Sequence, residues 1–117
     1  MPVSKSHVIN GISHFDVAGP DISVLGVFYS AVFGWSVEGK GPGYALVKTP
    51  DGSANGALVE SEVSALTLGI VVPDIAEATT RAQTHGGAIT MPVTDNGWVK
   101  KAQVTDPAGN ILTLIQG

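Results

Sequence analysis

Cysteine is absent from this chain of 117 residues, and charged residues make up only 14% of it. Without cysteine the protein has no disulfide, no thiolate nucleophile and no sulfur-ligated metal, and we expect it in the cytoplasm. The charged fraction is well below the roughly 25% of typical soluble domains. Such a chain either buries surface against a second copy or keeps an apolar cavity. We therefore expect a homodimer, which would also cover exposed edge strands.

Three further absences bear on partners and location. The net charge is −4, and residues 1–60 and 61–117 each carry three basic and five acidic residues, so the chain has no basic stripe for nucleic acid. No apolar run approaches the roughly 20 residues of a membrane-spanning helix. Residues 1–10 also lack the apolar core of a signal peptide. These patterns favour a protein that binds neither nucleic acid nor membranes.

An internal repeat is the strongest pattern that the sequence does contain. Pro20 and Pro73 lie 53 residues apart and each is followed by Asp-Ile, and Gly34 and Gly87 have the same offset. Turn and cap positions are those where backbone geometry most restricts the residue type. A period near half the chain indicates a duplicated supersecondary unit, because solenoids need three or more repeats.

Each half of the sequence predicts a strand, a helix and three further strands. Helices are predicted after the N-cap residues Asp21 and Asp74, ending before Gly34 and Gly86. The predicted strands are 9–18, 35–38, 44–49, 55–60, 66–72, 88–91, 98–105 and 110–115. The fold class is therefore α+β, with one domain over 1–117 made of two βαβββ modules at about 8–60 and 65–116.

The first helix is the more apolar of the two. Five large side chains at helical spacing predict one apolar face: Val24, Leu25, Phe28, Val32 and Phe33. The second helix is poor in large apolar residues. We therefore expect the first helix to bury more surface than the second, either deeper against the sheet or against another subunit.

Several short motifs occur in order along nearly the whole chain. They are His14-Phe15-Asp16-Val17, Phe28-Tyr29 with Phe33-Gly34-Trp35, Asn55-Gly56-Ala57-Leu58, His85-Gly86-Gly87, Gly97-Trp98 and Asp106-Pro107-Ala108-Gly109-Asn110. With the βαβββ repeat they make the chain resemble the vicinal oxygen chelate superfamily, which includes glyoxalase I, extradiol dioxygenases and bleomycin-resistance proteins. The resemblance implies curved mixed sheets, or half-barrels, around a central cleft. It leaves the reaction open, because this scaffold hosts many.

The resemblance also implies where a metal would bind. Catalytic members of the superfamily hold a divalent ion at up to four positions, on the first and last strands of each module. On the first strands these positions correspond to His14 and, at the repeat offset of 53, to Thr67. On the last strands they lie four residues beyond the turn glycines Gly52 and Gly109, which gives Gly56 and Thr113.

Only His14 in this set is a strong metal ligand. A catalytic divalent site generally needs three protein ligands, and neutral hydroxyls compensate poorly for the desolvation of a doubly charged ion. We therefore expect no cofactor. The alternative is a divalent metal on His14, completed by Asp16 and Glu60, which share the parity of the implied positions on their strands.

Six residues are predicted to line a ligand site: His14, Asp16, Tyr44, Thr67, Trp98 and Thr113. Aromatic side chains with polar tips suit stacking against a flat ligand, and buried polar groups are costly without partners. The alternatives are a histidine satisfied by a neighbouring threonine and ordinary packing for Tyr44 and Trp98. For Trp35, packing in the core or a dimer is the favoured interpretation.

Three functions remain open on this basis. The first is a small-molecule-binding protein of the glyoxalase/bleomycin-resistance type with a degenerate metal site, holding an apolar or aromatic ligand; its acidic balance would tolerate a cationic guest. The second is a metal-dependent lyase, isomerase or dioxygenase acting on a bidentate oxygen substrate. The third is an interaction module without a ligand. The sequence does not decide whether the protein is an enzyme.

Overall fold

The computed structural model describes residues 9–51 and 53–116. The turn glycine Gly52, from which Gly56 was counted, and residues 1–8 lie outside the described residues. The strands are β1 Ile12–Gly19, β2 Ser36–Gly39, β3 Tyr44–Lys48, β4 Asn55–Glu60, β5 Ala65–Val71, β6 Ala88–Asp95, β7 Lys100–Thr105 and β8 Ile111–Gln116, and the helices are α1 Ile22–Phe33 and α2 Ile75–Thr84. None of the described helices is long and apolar enough to cross a membrane.

The chain forms two compact units, each with one helix and a four-stranded mixed sheet. The first unit comprises residues 14–66, and the second comprises residues 67–116 with residues 9–13. The strand order is β2-β3-β4-β1 in the first unit and β5-β8-β7-β6 in the second. The pairs β1–β4 and β5–β8 are parallel, and the other neighbours are antiparallel. The predicted α+β class and the βαβββ order of each half are confirmed, whereas the single domain over 1–117 stays a prediction.

The ends of α1 follow from the residues that flank it. The Asp21 carboxylate accepts hydrogen bonds from the backbone N–H groups of Ser23 and Val24 at 3.0 and 3.2 Å. These donors have no partner within the helix, so the cap stabilises its first turn. Gly34 ends the helix with φ 72°, a left-handed conformation that costs glycine little. Both predicted caps are confirmed.

Of the two positions expected for α1, the one deeper against its sheet than α2 is wrong, and packing against another subunit stays a prediction. The side chains of α1 that pack against the first unit's core are Ile22, Leu25 and Tyr29. Four of the five predicted contact residues, all but Leu25, are more than half exposed: Val24, Phe28, Val32 and Phe33. The apolar residues of α1 surround the helix, and a pattern at helical spacing does not say which side meets the sheet.

The second unit departs from the prediction in its hairpin. The predicted strand 88–91 continues to Asp95, and Pro92 lies within it. Register shifts fall between Ile89 and Met91 and between Met91 and Thr94, which breaks the regular ladder where proline has no N–H to donate. The following strand begins at Lys100 and not at Trp98.

Each sheet has a buried core on its helix-facing side. In the first unit the core consists of Val17, Ala45, Val47 and Leu58, with Trp35 among the partly buried residues packed against it. Trp35 stacks on Tyr29 with ring centroids 5.2 Å apart and the planes 6° apart. Packing within the core, the favoured interpretation of Trp35, is confirmed. In the second unit the core consists of Val72, Ile75, Ala102, Val104 and Leu114.

Candidate functional site

The strand β1 divides its side chains between the two faces of the first unit's sheet. Phe15 and Val17 belong to the core that packs against α1. Because successive side chains on a strand point to opposite faces, His14 and Asp16 lie on the face away from α1. Their side chains are 36% and 33% exposed. The sequence therefore puts an imidazole and a carboxylate, each about one third exposed, side by side on the sheet face away from α1.

His14 and Asp16 are hydrogen-bonded to each other. Nε2 of His14 lies 3.0 Å from Oδ1 of Asp16. An ionised carboxylate only accepts hydrogen bonds, so Nε2 carries the proton, and in the neutral ring Nδ1 is left as an acceptor. The carboxylate thus fixes the orientation and the tautomer of the imidazole. The pair offers a ligand one nitrogen acceptor beside the remaining lone pairs of a carboxylate.

The neighbouring strands extend this face with apolar and aromatic side chains. Asp16 pairs with Ala57 on β4, and Ala57 pairs with Leu46 on β3. Tyr44 has the same parity on β3 as Leu46, so it lies on the same face. Tyr44 is 40% exposed and Leu46 37% exposed. We call the face formed by His14, Asp16, Tyr44 and Leu46 the open face of the first unit.

The position carried over to Gly56 does not lie on the open face. Gly56 pairs with Phe15, whereas His14 pairs with Asn55. A Cβ atom at Gly56 would lie 2.7 Å from Cε2 of Phe15. Glycine is therefore required here so that Phe15 can cross the strand on the core side. The identification of Gly56 as a lost metal ligand is wrong, because counting from the turn gave the wrong face.

Glu60 does not join His14 and Asp16. Glu60 pairs with Gly19 and His14 with Asn55, so the two lie five residues apart along the ladder, about 16 Å by strand rise. The side chain of Glu60 instead lies against Gly43. Its Cβ atom is 3.3 Å from the position that a Cβ atom would occupy at Gly43. The predicted His14, Asp16 and Glu60 ligand set is not assembled.

The donor set does not fit a catalytic divalent metal. Within residues 9–51 and 53–116, no group of three or more His, Cys, Asp or Glu side chains is placed to hold an ion. His14 and Asp16 supply at most two donors, Nδ1 of the imidazole and the carboxylate, since Nε2 is hydrogen-bonded to Asp16. A catalytic site of this type generally takes three protein ligands.

The second unit carries two of the predicted residues on the face away from α2. Thr113 pairs with Gly69 on β5, while Leu112 and Leu114 on either side of it pack in the core. Thr67 has the parity of Gly69, so it shares that face with Thr113. Both threonines are partly buried. A cavity lined jointly by His14 and these threonines would join residues of both units, and it stays a prediction.

Gln103 is a polar residue of this face that sequence reasoning missed. It pairs with Thr113 across β7 and β8, and its Nε2 donates to Thr113 Oγ1 at 3.4 Å. Ala102 and Val104 beside it are buried. That alternation was readable from the sequence, but the partner of Gln103 follows only from the strand register.

Trp98 lies at the tip of the hairpin between β6 and β7. Its side chain is 75% exposed. The side chain of Asn96 holds the loop by accepting from the backbone N–H groups of Trp98 and Val99 at 3.4 and 3.0 Å. A shallow cavity of about 170 Å³ there is lined by Trp98, Lys100, Gln116 at the end of β8 and neighbouring residues of the hairpin. Trp98 is thus presented outward, and its role in ligand binding stays a prediction.

Asp106 stabilises the turn between β7 and β8 through hydrogen bonds to its carboxylate. Its carboxylate accepts the side-chain amide of Asn110 and the backbone N–H groups of Asn110 and Ala108, each at 2.9 Å. The hydrogen bond from the Asn110 side chain is the main reason why the pKa of Asp106 lies below its usual value of 3.8. The residue holds the turn before β8.

Comparison with known proteins gives a family and a fold. Residues 11–114 match the family model described as "Glyoxalase/Bleomycin resistance protein/Dioxygenase superfamily". No curated protein matches the sequence.

Three solved structures illustrate the likeness in fold. A glyoxalase/bleomycin resistance protein/dioxygenase superfamily member from Vibrio splendidus 12B01 has a TM-score of 0.69 at 20% identity, over 88% of this chain and 96% of that one. Methylmalonyl-CoA epimerase from Mycobacterium tuberculosis has a TM-score of 0.68 at 17% identity, over 99% and 92%. An extradiol ring-cleaving dioxygenase from B. fuscum has a TM-score of 0.72 at 18% identity, over 99% of this chain but 35% of that one.

Proposed function

This chain belongs to the glyoxalase/bleomycin resistance protein/dioxygenase superfamily, and on that premise we propose that it is a small-molecule-binding protein. Its ligand has an apolar or aromatic body and a polar, hydrogen-bonding or cationic group. The body lies on the open face of the first unit, against Tyr44 and Leu46. The polar group meets His14 and Asp16.

The hydrogen bond between His14 and Asp16 is the observation that carries this proposal. The two side chains are joined at 3.0 Å and are still about one third exposed. A pair that served only to satisfy a buried histidine would be expected to be closed off from solvent. A partly exposed pair keeps an acceptor nitrogen and carboxylate lone pairs for a ligand.

The ligand's charge follows from the charge around this pair. Asp16 is an acceptor of hydrogen bonds when ionised, and the chain as a whole has a net charge of −4. Both features attract a cationic or donating group and repel an anionic one. Tyr44 and Leu46, both more than a third exposed, supply the apolar contact. This is a site that discriminates between ligands of equal shape and opposite charge.

The metal-dependent lyase, isomerase or dioxygenase has less support from this chain's own residues. The open face supplies an imidazole and a carboxylate that are bonded to each other, which is one donor short of a typical catalytic set. The relatives in fold include an epimerase and a dioxygenase. At their level of identity the likeness extends to the fold and not to the reaction.

Binding of two matched probes tests the proposal. Naphthylmethylamine and naphthylacetate share an aromatic body and differ in the sign of their charge, so we expect the amine to bind more tightly. Asp16→Asn should weaken the amine about tenfold, the loss of one charge-assisted hydrogen bond. Asp51→Asn, a charge-matched change in an exposed turn, should leave both affinities unchanged. Equal binding of the two probes, or no effect of Asp16→Asn, would contradict the proposal.

Metal analysis separates the two functions. Protein purified without chelator is expected to retain no stoichiometric Ni, Zn, Mn or Fe. His14→Ala should weaken the amine probe, whereas His85→Ala, a histidine at the end of α2, should not. Stoichiometric metal that is lost in His14→Ala and kept in His85→Ala would favour the enzyme instead.

A further inference from the structure

The helix α1 presents a second apolar side, turned away from its own sheet. Residues 22–37 include no charged residue. Val24, Val27, Phe28 and Ala31 are exposed, and their i, i+3, i+4, i+7 spacing puts them on one face of the helix. Val27 is 69% exposed, Val24 63% and Phe28 51%. We call these four residues the outer face of α1.

The inner side of α1 is already occupied. Ile22, Leu25 and Tyr29 pack against the core of the first unit. A helix that packs on one side of a soluble domain normally has charged or polar residues on the other, whereas a helix that is apolar all round is normally buried all round. The outer face of α1 therefore has the composition of a packed surface without a partner in the described residues.

A groove beside α1 enlarges this surface. A cavity of about 500 Å³ runs between α1 and strands β2 and β3, and Gly26, Val27, Val37 and Ala45 are among the residues that line it. Val27 and Ala31 belong both to this groove and to the outer face. The apolar surface is thus continuous from the helix to the edge of the sheet.

We propose that a second copy of this chain covers the outer face of α1, with α1 packed against α1 of the other copy around a twofold axis. The absence of charge is the first argument, because the chains are acidic, with a net charge of −4 each, and would repel each other across a charged surface. A basic partner protein would be matched by acidic residues on this face, and residues 22–37 contain no acidic residue. A twofold interface brings the same patch of each copy together, so an uncharged apolar patch is self-complementary.

The size of the surface also fits a second copy. Together with the flanking Val32 and Phe33, both more than half exposed, its large side chains present on the order of 500 Å² of apolar area, at the upper end of what a monomer normally exposes. A standard interface buries about 800 Å² per partner. The groove beside α1 supplies the remainder. This surface lies on the helix side of the sheet, so the dimer leaves the open face of His14 and Asp16 accessible.

Sedimentation equilibrium of the full chain tests this interface. We expect a dimer at micromolar concentration, and Val24→Glu and Phe28→Glu should each raise the dimer dissociation constant about a hundredfold, because each puts two like charges into the interface. Val63→Glu is the matched control, since Val63 is 70% exposed outside α1. It should leave the dissociation constant unchanged. A wild-type monomer, or a dimer that withstands both α1 substitutions, would overturn the proposal.

Disulfide cross-linking tests the same interface if Val24→Glu or Phe28→Glu fails to fold. The chain has no cysteine, so Val27→Cys introduces a single thiol at the proposed twofold contact. Under mild oxidation we expect disulfide-linked dimers of Val27→Cys and little cross-linking of Val63→Cys. Equal cross-linking of the two variants would contradict the interface. So would a monomer that binds phosphatidylglycerol vesicles through α1, because the surface would then serve a membrane.

Discussion

The ring of Phe15 lies directly over Gly56. A Cβ atom at residue 56 would be 2.3 Å from the backbone oxygen of Phe15 and 2.7 Å from its Cε2. No real Cβ fits at these distances, so any other residue must displace the ring or the strand. The two residues are paired on β1 and β4. The contact lies on β1 between His14 and Asp16, on the opposite face of the sheet.

Gly56→Ala is therefore expected to destabilise the protein. Overpacking a core position costs about 1–3 kcal/mol, and here backbone as well as a side chain must move. Gly39→Ala is the control, because among the described residues no atom outside its chain neighbours lies within 4 Å of a Cβ there. Urea unfolding should show a lower midpoint for Gly56→Ala and a nearly unchanged one for Gly39→Ala. Equal midpoints would mean that the strands tolerate the added methyl group.

The two leucines on neighbouring strands of the first unit should respond differently to truncation. Leu58 is 0% exposed in the core, whereas Leu46 is 37% exposed on the open face. Leu58→Ala leaves a cavity and should cost about 2–5 kcal/mol of unfolding free energy. Leu46→Ala should cost well under half as much. A larger loss for Leu46→Ala would indicate that the open face is covered and not available to a ligand.

The turn at Asp106 predicts a pH dependence of stability. Its folded pKa lies below the usual 3.8, because Asn110 and neighbouring N–H groups stabilise the carboxylate. The stabilisation is present above the unfolded-state pKa and is lost as the pH falls through the folded one. The stability advantage of the wild type over Asp106→Asn should therefore shrink as the pH is lowered from neutral to about 2. A constant or growing difference in urea midpoint would contradict this role.

The caps and the order of the elements could be predicted from the sequence because they depend on local geometry. Asp21 and Gly34 occupy positions where few residue types are stable, and they bound α1 as predicted. The strand Asn55–Glu60 was also predicted at both ends. Pro92 misled the prediction, because it reads as a strand end but lies within β6 at a register shift.

The candidate site was less predictable, since it depends on strand register and on which side of a helix is covered. The parity of His14 and Asp16 was correctly read as one face of β1, but the count from Gly52 reached Gly56, which pairs with Phe15 on the core side. Gln103 was missed because its partner Thr113 lies on another strand. The apolar spacing of α1 was correctly recognised, yet it did not reveal that most of those side chains face outward.

The most direct test of the account is NMR chemical-shift mapping with the naphthylmethylamine probe. If the His14–Asp16 pair anchors a ligand on the open face, the largest shifts will fall at His14, Asp16, Tyr44 and Leu46, and Asp16→Asn will move their titration midpoint to an about tenfold higher probe concentration. Shifts confined to α1 and its groove, with those of His14 and Asp16 unchanged, would contradict the account.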